Sequence, residues 1–216
     1  MILQGLDFKT MLLRLPIIFI AISIHEYAHG YAALKMGDGT AKACGRLSLN
    51  PLAHMDIIGA LCMLLIGFGW AKPVPVNSAN FRNKKQGYIL VSLAGPLANF
   101  FLALVGAVLY GLFLRIGFGG FNSTFREVFF GLLQMMIIMN LSFGVFNLIP
   151  IPPLDGSKIV AAFLPYKALY KMQQFEKYSF IVLLVLLYTG IIGRVLSFII
   201  NPMVASLNII IRLIAG

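Results

Sequence analysis

Long apolar runs alternate with short polar interludes along this chain, and each run is read against the residues that break it. The first run predicts a helix from about Met11 to Leu34, with Pro16 tolerable in its opening turn. Polar, turn-rich residues follow from Lys35 to Asp56, then a short apolar run from Ile57 to Trp70, then a second polar stretch from Ala71 to Gly87. Tyr88 to Leu114 and Val128 to Ile149 are each long enough to cross roughly 30 Å of hydrocarbon, with the glycine-rich loop Gly117 to Thr124 between them. Beyond the prolines of Pro150 to Pro153, the pattern predicts a short amphipathic helix over Gly156 to Met172 and a last apolar region from Ser179 onward. Arg194 and the Asn201-Pro202 pair interrupt that region, which suggests one span plus a surface helix. No internal repeat or low-complexity tract is present.

Composition agrees with this pattern. Of the 216 residues 60% are hydrophobic and only 11% charged, which excludes an ordinary water-soluble domain as well as collagen-like, disordered and disulfide-rich classes. The expected fold is an all-α multi-pass membrane protein, a helical bundle of about four to six transmembrane segments. It is expected to form a single membrane-embedded domain over residues 1–216, with a core at about 11–172 and a C-terminal helical region at 179–216. The 17 Lys and Arg against 7 Asp and Glu give a formal charge of +10. Basic residues between apolar helices are what anionic headgroups and the positive-inside rule predict, so the lipid bilayer and not nucleic acid is the expected partner. Cys44 and Cys62 lack metal-type spacing and read as free thiols, and Met1 to Thr10 lacks the pattern of a cleavable leader.

Chemistry concentrates in the first helix. His25-Glu26-Tyr27-Ala28-His29 reads as HExxH, and residues four apart on a helix lie about 40° from each other and about 6 Å along the axis. Both imidazoles therefore face one way and can bind one Zn²⁺, while Glu26 can take a proton from a metal-held water. An ionisable trio in the middle of a span is costly as mere packing, which favours a metal site. A catalytic zinc usually has three protein ligands, so a third must come from elsewhere. Asp155 lies in Asn147-Leu-Ile-Pro-Ile-Pro-Pro-Leu-Asp155-Gly156, where irregular backbone at membrane depth would line a wet cavity. On the residues alone it is equally an N-cap for the helix starting near Gly156. His54 lacks helical register with the first pair, and a fourth protein ligand would fill the open position.

With these motifs in place, the sequence resembles the site-2 protease family of intramembrane zinc metalloproteases. His25-Glu26-xx-His29 resembles the family's zinc motif, and Asn147-xx-Pro150-xxxx-Asp155-Gly156 its second signature, whose aspartate completes the zinc site. Gly95-Pro96-Leu97-Ala98-Asn99 resembles a third family feature, and the likeness covers about Ser23 to Ser157. The resemblance implies that His25, His29 and Asp155 hold one Zn²⁺ per chain and that Glu26 is the catalytic base. It looks like a minimal form, without PDZ or CBS domains. Asn99 and Asn147, uncharged polar groups in apolar spans, are candidates for binding substrate, against the alternative of helix-to-helix hydrogen bonds.

The metal site then bears on topology. If Ile57 to Trp70 crossed the membrane, Asp155 and the loop leaving the histidine helix would lie on opposite faces, and fourteen residues are short for a span. A re-entrant or β-hairpin insertion after the first helix is expected instead. It gathers Lys35, Lys42, Arg46, Lys72, Arg82, Lys84, Lys85, Lys158, Lys167, Lys171 and Lys177 on one side against Lys9, Arg14, Arg115 and Arg126 on the other, which points to the cell membrane with an active site opening toward the cytoplasm. Thr40 to Asn50 alternates with a strand-like period, and Lys72-Pro-Val-Pro-Val-Asn77 should be extended. Either edge can pair with an unwound substrate by strand addition, or the two can form a plain hairpin plugging the cavity mouth.

The expected activity is that of a zinc endopeptidase cutting membrane proteins within or near a locally unwound transmembrane helix. Two other readings stand beside it. One is an unrelated HExxH membrane protease processing lipidated C-termini; the other is a zinc transporter or scaffold, against which speaks the lack of a second span with a matching row of polar residues.

Overall fold

A computed structural model describes residues 8–56, 58–59, 71–117 and 120–216. Among these residues the chain is helical and forms no strand. Its elements are α1 (Phe8–Met36), the single turns α2 (Thr40–Ala43) and α3 (Pro51–His54), a 3-10 turn (Ser78–Asn80), α4 (Lys84–Ile116), α5 (Ser123–Asn147), α6 (Asp155–Ala161), α7 (Tyr166–Tyr188) and α8 (Ile191–Ala215). Among the described residues four helices are long and apolar enough to cross a membrane: Leu15–Met36 of α1, then α4, α5 and α8. The protein is therefore a membrane protein built on a helical bundle.

The central helix is α4, against which α1, α5 and α8 all pack. Hydrocarbon gives spans no apolar driving force to associate, so close van der Waals contact has to hold them together. Small residues supply it. Ala103 and Ala107 of α4 meet Ile137, Leu141 and Val145 of α5 and Ile200 and Ile211 of α8, and the Phe100 ring lies directly over Gly144. On the other flank Ala33 of α1 and Val91 of α4 close around Phe81. Side chains of Asn83 and Asn122 cap α4 and α5 by accepting from the amides of Gln86 and Phe125.

Several boundaries differ from expectation. Helix α1 begins at Phe8, so Pro16 sits inside it and not in its opening turn. The amphipathic helix foreseen over Gly156–Met172 is two elements: α6 ends at Ala161, and Pro165 starts α7, which runs unbroken through the polar Lys171–Lys177 stretch to Tyr188. In the last region neither Arg194 nor Asn201-Pro202 breaks the chain. The interruption is at Gly190, whose φ of 72° suits glycine, and α8 continues across Pro202 because Ile200 and Ile211 on either side are anchored in the core.

The strand foreseen over Thr40 to Asn50 is also absent. Thr40–Ala43 is a helical turn, and the next turn closes through Arg46 N–H donating to Ala41 C=O. Ala41 and Leu47 both reach the same patch of α1 at Gly30, so their apolar character reflects one tertiary contact and not a pleat. The stretch expected to be re-entrant, Ile57 to Trp70, lies outside the described residues except for Ile58 and Gly59. Its flanks are described: Met55 and Ala71 form an antiparallel bridge, and Lys72 N–H donates to His54 C=O at 2.9 Å.

Past the end of α1, Asp38 is fully buried and organises the loop beside the bundle. Burial alone would raise its carboxyl, but hydrogen bonds from the Thr40 hydroxyl, the Asn80 amide and the backbone N–H groups of Asn77 and Thr40 outweigh this and hold it below the usual carboxylate range. Because the carboxyl is more acidic folded than unfolded, its stabilisation is complete above the unfolded value of about 3.9 and is lost as pH falls through the folded value. We expect Asp38→Asn to lower the melting temperature by a constant amount above about pH 5 and by less on acidification below about pH 4, as read from thermal unfolding in detergent.

Candidate metal centre

His25 and His29 lie on the inward face of α1, and His29 is seven residues from the helix's C-terminal end, about 10 Å along the axis. Their orientation is set from α4. The Nδ1–H of His25 donates to Asn99 Oδ1 at 2.6 Å, and the Nδ1–H of His29 donates to the Val91 carbonyl at 2.7 Å. With both Nδ1 atoms committed as donors, the Nε2 of each ring is turned the other way. Asn99 is itself held, donating to Asn140 Oδ1 at 2.9 Å and to the Ala21 carbonyl at 3.4 Å, while Asn140 donates to the Met136 carbonyl.

The third group arrives from the loop after α5. Gly156 packs so closely on the backbone of Leu148 and Ile149 that a Cβ there would lie 2.2 Å from the Leu148 oxygen. That fold-back leads the chain from Asn147 through the prolines and returns Asp155 to the histidines. Asp155 is the first residue of α6 and not its N-cap, a position that Leu154 takes. One carboxylate oxygen, Oδ2, lies 3.0 Å from His29 Nε2 and 3.3 Å from His25 Nε2, and the two Nε2 atoms are 3.0 Å apart. The other oxygen meets the ammonium of Lys158 at 3.2 Å.

This donor set fits a zinc ion. Two imidazole nitrogens and one carboxylate oxygen at 3.0–3.3 Å need a cation or a shared proton among them, because bare lone pairs at that distance repel. The edge of a tetrahedron with bonds of about 2.0–2.1 Å is about 3.3 Å, close to what the three atoms span. Two imidazoles and one carboxylate are the hard-to-borderline ligands that zinc accepts, and three leave a fourth position open. Among the described residues this is the one group of three such side chains close enough to share an ion.

A cavity of about 380 Å³ opens onto the triad, bordered by Glu26, the Pro73–Val76 segment, Tyr88, Asn147 and Lys158. Glu26 does not join the histidines; its Oε2 accepts from the Val74 N–H at 2.8 Å. Asn147 faces the cavity, its amide also donating to the Phe143 carbonyl. Asn99 does not border the cavity: it is fully buried, and its Oδ1 accepts from the His25 ring. His54 is buried apart from the triad, with Nε2 against the Ser48 carbonyl.

Several contributors had no place in the sequence reading. Asn140 carries the same signal as Asn99, an amide in an apolar span. The Val91 carbonyl and Val74 N–H are backbone groups and leave no side-chain signature. Gly95 belongs to a recognised motif, but only the structure gives its reason: a Cβ there would lie 2.4 Å from His29 Nε2 and 2.6 Å from His25 Nε2.

Residues 115–190 match peptidase family M50. YwhC of Bacillus subtilis (strain 168), provisionally named a zinc metalloprotease, is 42% identical over 185 residues, covering 83% of this chain and 81% of the relative. Rip2 of Mycolicibacterium smegmatis, named in the same provisional way, is 30% identical over 182 residues, covering 81% of this chain and 66% of the relative. A zinc metalloprotease of Methanocaldococcus jannaschii is 28% identical over 151 residues, covering 70% of this chain and 34% of the relative. No solved structure matches the chain.

Proposed function

Because this chain belongs to peptidase family M50, the site-2 protease family, and is thus a membrane-embedded zinc metalloendopeptidase, we propose that it hydrolyses peptide bonds within or near transmembrane segments of other membrane proteins. The observation that carries the proposal is the convergence of two imidazole nitrogens and one carboxylate oxygen beside an open cavity, within a bundle of apolar spans. His25, His29 and Asp155 would hold one zinc ion per chain, and Glu26 would be the general base. Bound there, zinc supplies Lewis acidity, polarising the scissile carbonyl and lowering the pKa of a water toward about 7.

The remaining work falls to the chain. Asn99 and the Val91 carbonyl fix the tautomers that free both Nε2 lone pairs. Glu26 takes the proton of the attacking water on its carboxylate and passes it to the departing amine nitrogen. Asn147, at the cavity wall, is suited to donate to substrate backbone or to the oxyanion. A helical substrate hides its amides in hydrogen bonds and must unwind before attack, so segments with Gly, Pro or Asn near the cut are preferred.

Two finer points of topology belong to the same proposal. The Met55–Ala71 bridge supports an insertion that leaves and returns on one side, as expected of a re-entrant segment. Arg82 and Lys84 lie at the end of the bundle where α1 finishes and α4 starts, Arg82 N–H donating to the Met36 carbonyl, which supports a cavity opening to the cytoplasm of a cell membrane. Of the rival readings, family membership disfavours a transporter, and the lipidated-C-terminus reading needs a third ligand away from Asp155.

The test is metal dependence in a bilayer. Purified protein in proteoliposomes should bind one zinc per chain and cut a reporter transmembrane peptide bearing a Gly-Pro or Asn break. A strong chelator should abolish cleavage, and zinc should restore it. Unchanged cleavage with the metal stripped would overturn the proposal.

A further inference from the structure

We propose that Lys72–Asn77 is a backbone strap that sets the Glu26 carboxylate, and that Asp38 and Arg46 are positioning residues acting through it. The inference rests on the reading of Glu26 as general base. Its starting point is the one hydrogen bond that the base makes among the described residues: Oε2 of Glu26 accepts from Val74 N–H at 2.8 Å. Pro73 and Pro75 flank Val74 and carry no N–H, so of these three residues only Val74 can donate. A slip of the strap by one residue would set a proline nitrogen against the carboxylate. The orientation of the base therefore depends on register.

Register is fixed from both ends. At the near end the Arg46 guanidinium donates from Nη2 to the carbonyls of Lys72 at 2.7 Å and Pro73 at 3.2 Å. At the far end the buried carboxylate of Asp38 accepts from Asn77 N–H at 2.7 Å and from the Asn80 side chain at 2.8 Å. Between the clamps the Val74 side chain is buried against Gly30, one turn beyond Glu26 on α1. Helix α1 thus carries the base and leads directly into the anchor of the strap that aims it. Asp38 suits this role because its two oxygens receive donors from Thr40, Asn77 and Asn80; an amide NH₂ in either position would face a donor.

The experiment measures reporter cleavage, zinc content and amide exchange for full-length Asp38→Asn and Arg46→Ala in proteoliposomes. A misaimed base costs turnover without costing binding, and a displacement of about 1 Å can cost 10²-fold. We expect kcat to fall about 10- to 100-fold in both variants, with KM within about twofold of wild type, zinc still at one per chain, and faster exchange at the Val74 amide. Wild-type kcat in both variants would overturn the strap. So would zinc loss in step with activity in Asp38→Asn combined with a normal Arg46→Ala enzyme, since that pattern assigns Asp38 to stability alone. A fully active Glu26→Gln enzyme would overturn the general-base reading itself; an inactive one beside two fully active anchor variants would overturn only the strap.

Discussion

Replacing Glu26 with glutamine is expected to lower kcat by about 10²- to 10⁴-fold while zinc stays bound. The structure separates the two functions that such a substitution could disturb. Glu26 is not among the atoms that converge on the ion site; its carboxylate is turned to the Val74 N–H, and His25, His29 and Asp155 supply the three donors without it. Glutamine has nearly the same shape, and its amide oxygen can keep accepting from Val74, so the strap stays in register. What it lacks is a lone pair basic enough to take a proton from water. The effect should thus appear in kcat and not in metal content, measured by cleavage of the reporter peptide alongside elemental analysis of the same preparation. Full activity in the glutamine enzyme would remove Glu26 from the chemistry.

How much of this could be read from the chain alone depends on where each signal resides. The spans of α1, α4 and α5 were legible because uninterrupted apolar runs of that length have few other uses. His25, Glu26 and His29 were legible because helical geometry fixes how residues four apart face. Asp155 was ambiguous as a residue and became specific only through its motif. Side-chain periodicity failed at Thr40 to Asn50, where Ala41 and Leu47 are apolar because both touch Gly30 and not because a strand alternates. The interruption foreseen at Arg194 and Asn201-Pro202 failed for a related reason. Pro202 reads as a breaker in isolation, but Ile200 and Ile211 are packed into α4 and α5 and carry the helix through.

The polar groups in the spans teach a second point. Asn99 and Asn147 gave the same signal, an amide among hydrocarbon side chains, and they sit in different environments. Asn99 is sealed between His25, Ala21 and Asn140, whereas Asn147 borders the cavity. Only the packing of α4 against α1 distinguishes them. The same interface links two amides and an imidazole, Asn140 to Asn99 to His25, in one buried chain of hydrogen bonds that holds the ring with its Nε2 turned toward His29 and Asp155.

That interface also sets the second large effect: Gly95→Ala should lower zinc affinity by about 10- to 100-fold or more. A methyl group at this position would lie 2.4 Å from His29 Nε2 and 2.6 Å from both Cε1 and Nε2 of His25. Neither ring can give way cheaply. Each is tied at Nδ1, one to Asn99 and the other to the Val91 carbonyl, and both tethers come from α4, the helix that carries the new methyl. Relief therefore requires either that the imidazoles abandon those bonds, freeing the tautomer, or that α1 and α4 move apart and break the fully buried contacts of Ala21 and Ala33. Both routes spoil the donor set at its ligand atoms, which is why one methyl should act like the loss of a ligand's orientation. Gly131→Ala is the matched control: a Cβ there meets nothing within 4 Å, so the same change in helix propensity leaves the site untouched. Zinc competition titrations of the two variants against wild type give the answer, and a Gly95→Ala protein with wild-type affinity would mean that the imidazoles are not held from α4 as the hydrogen bonds indicate.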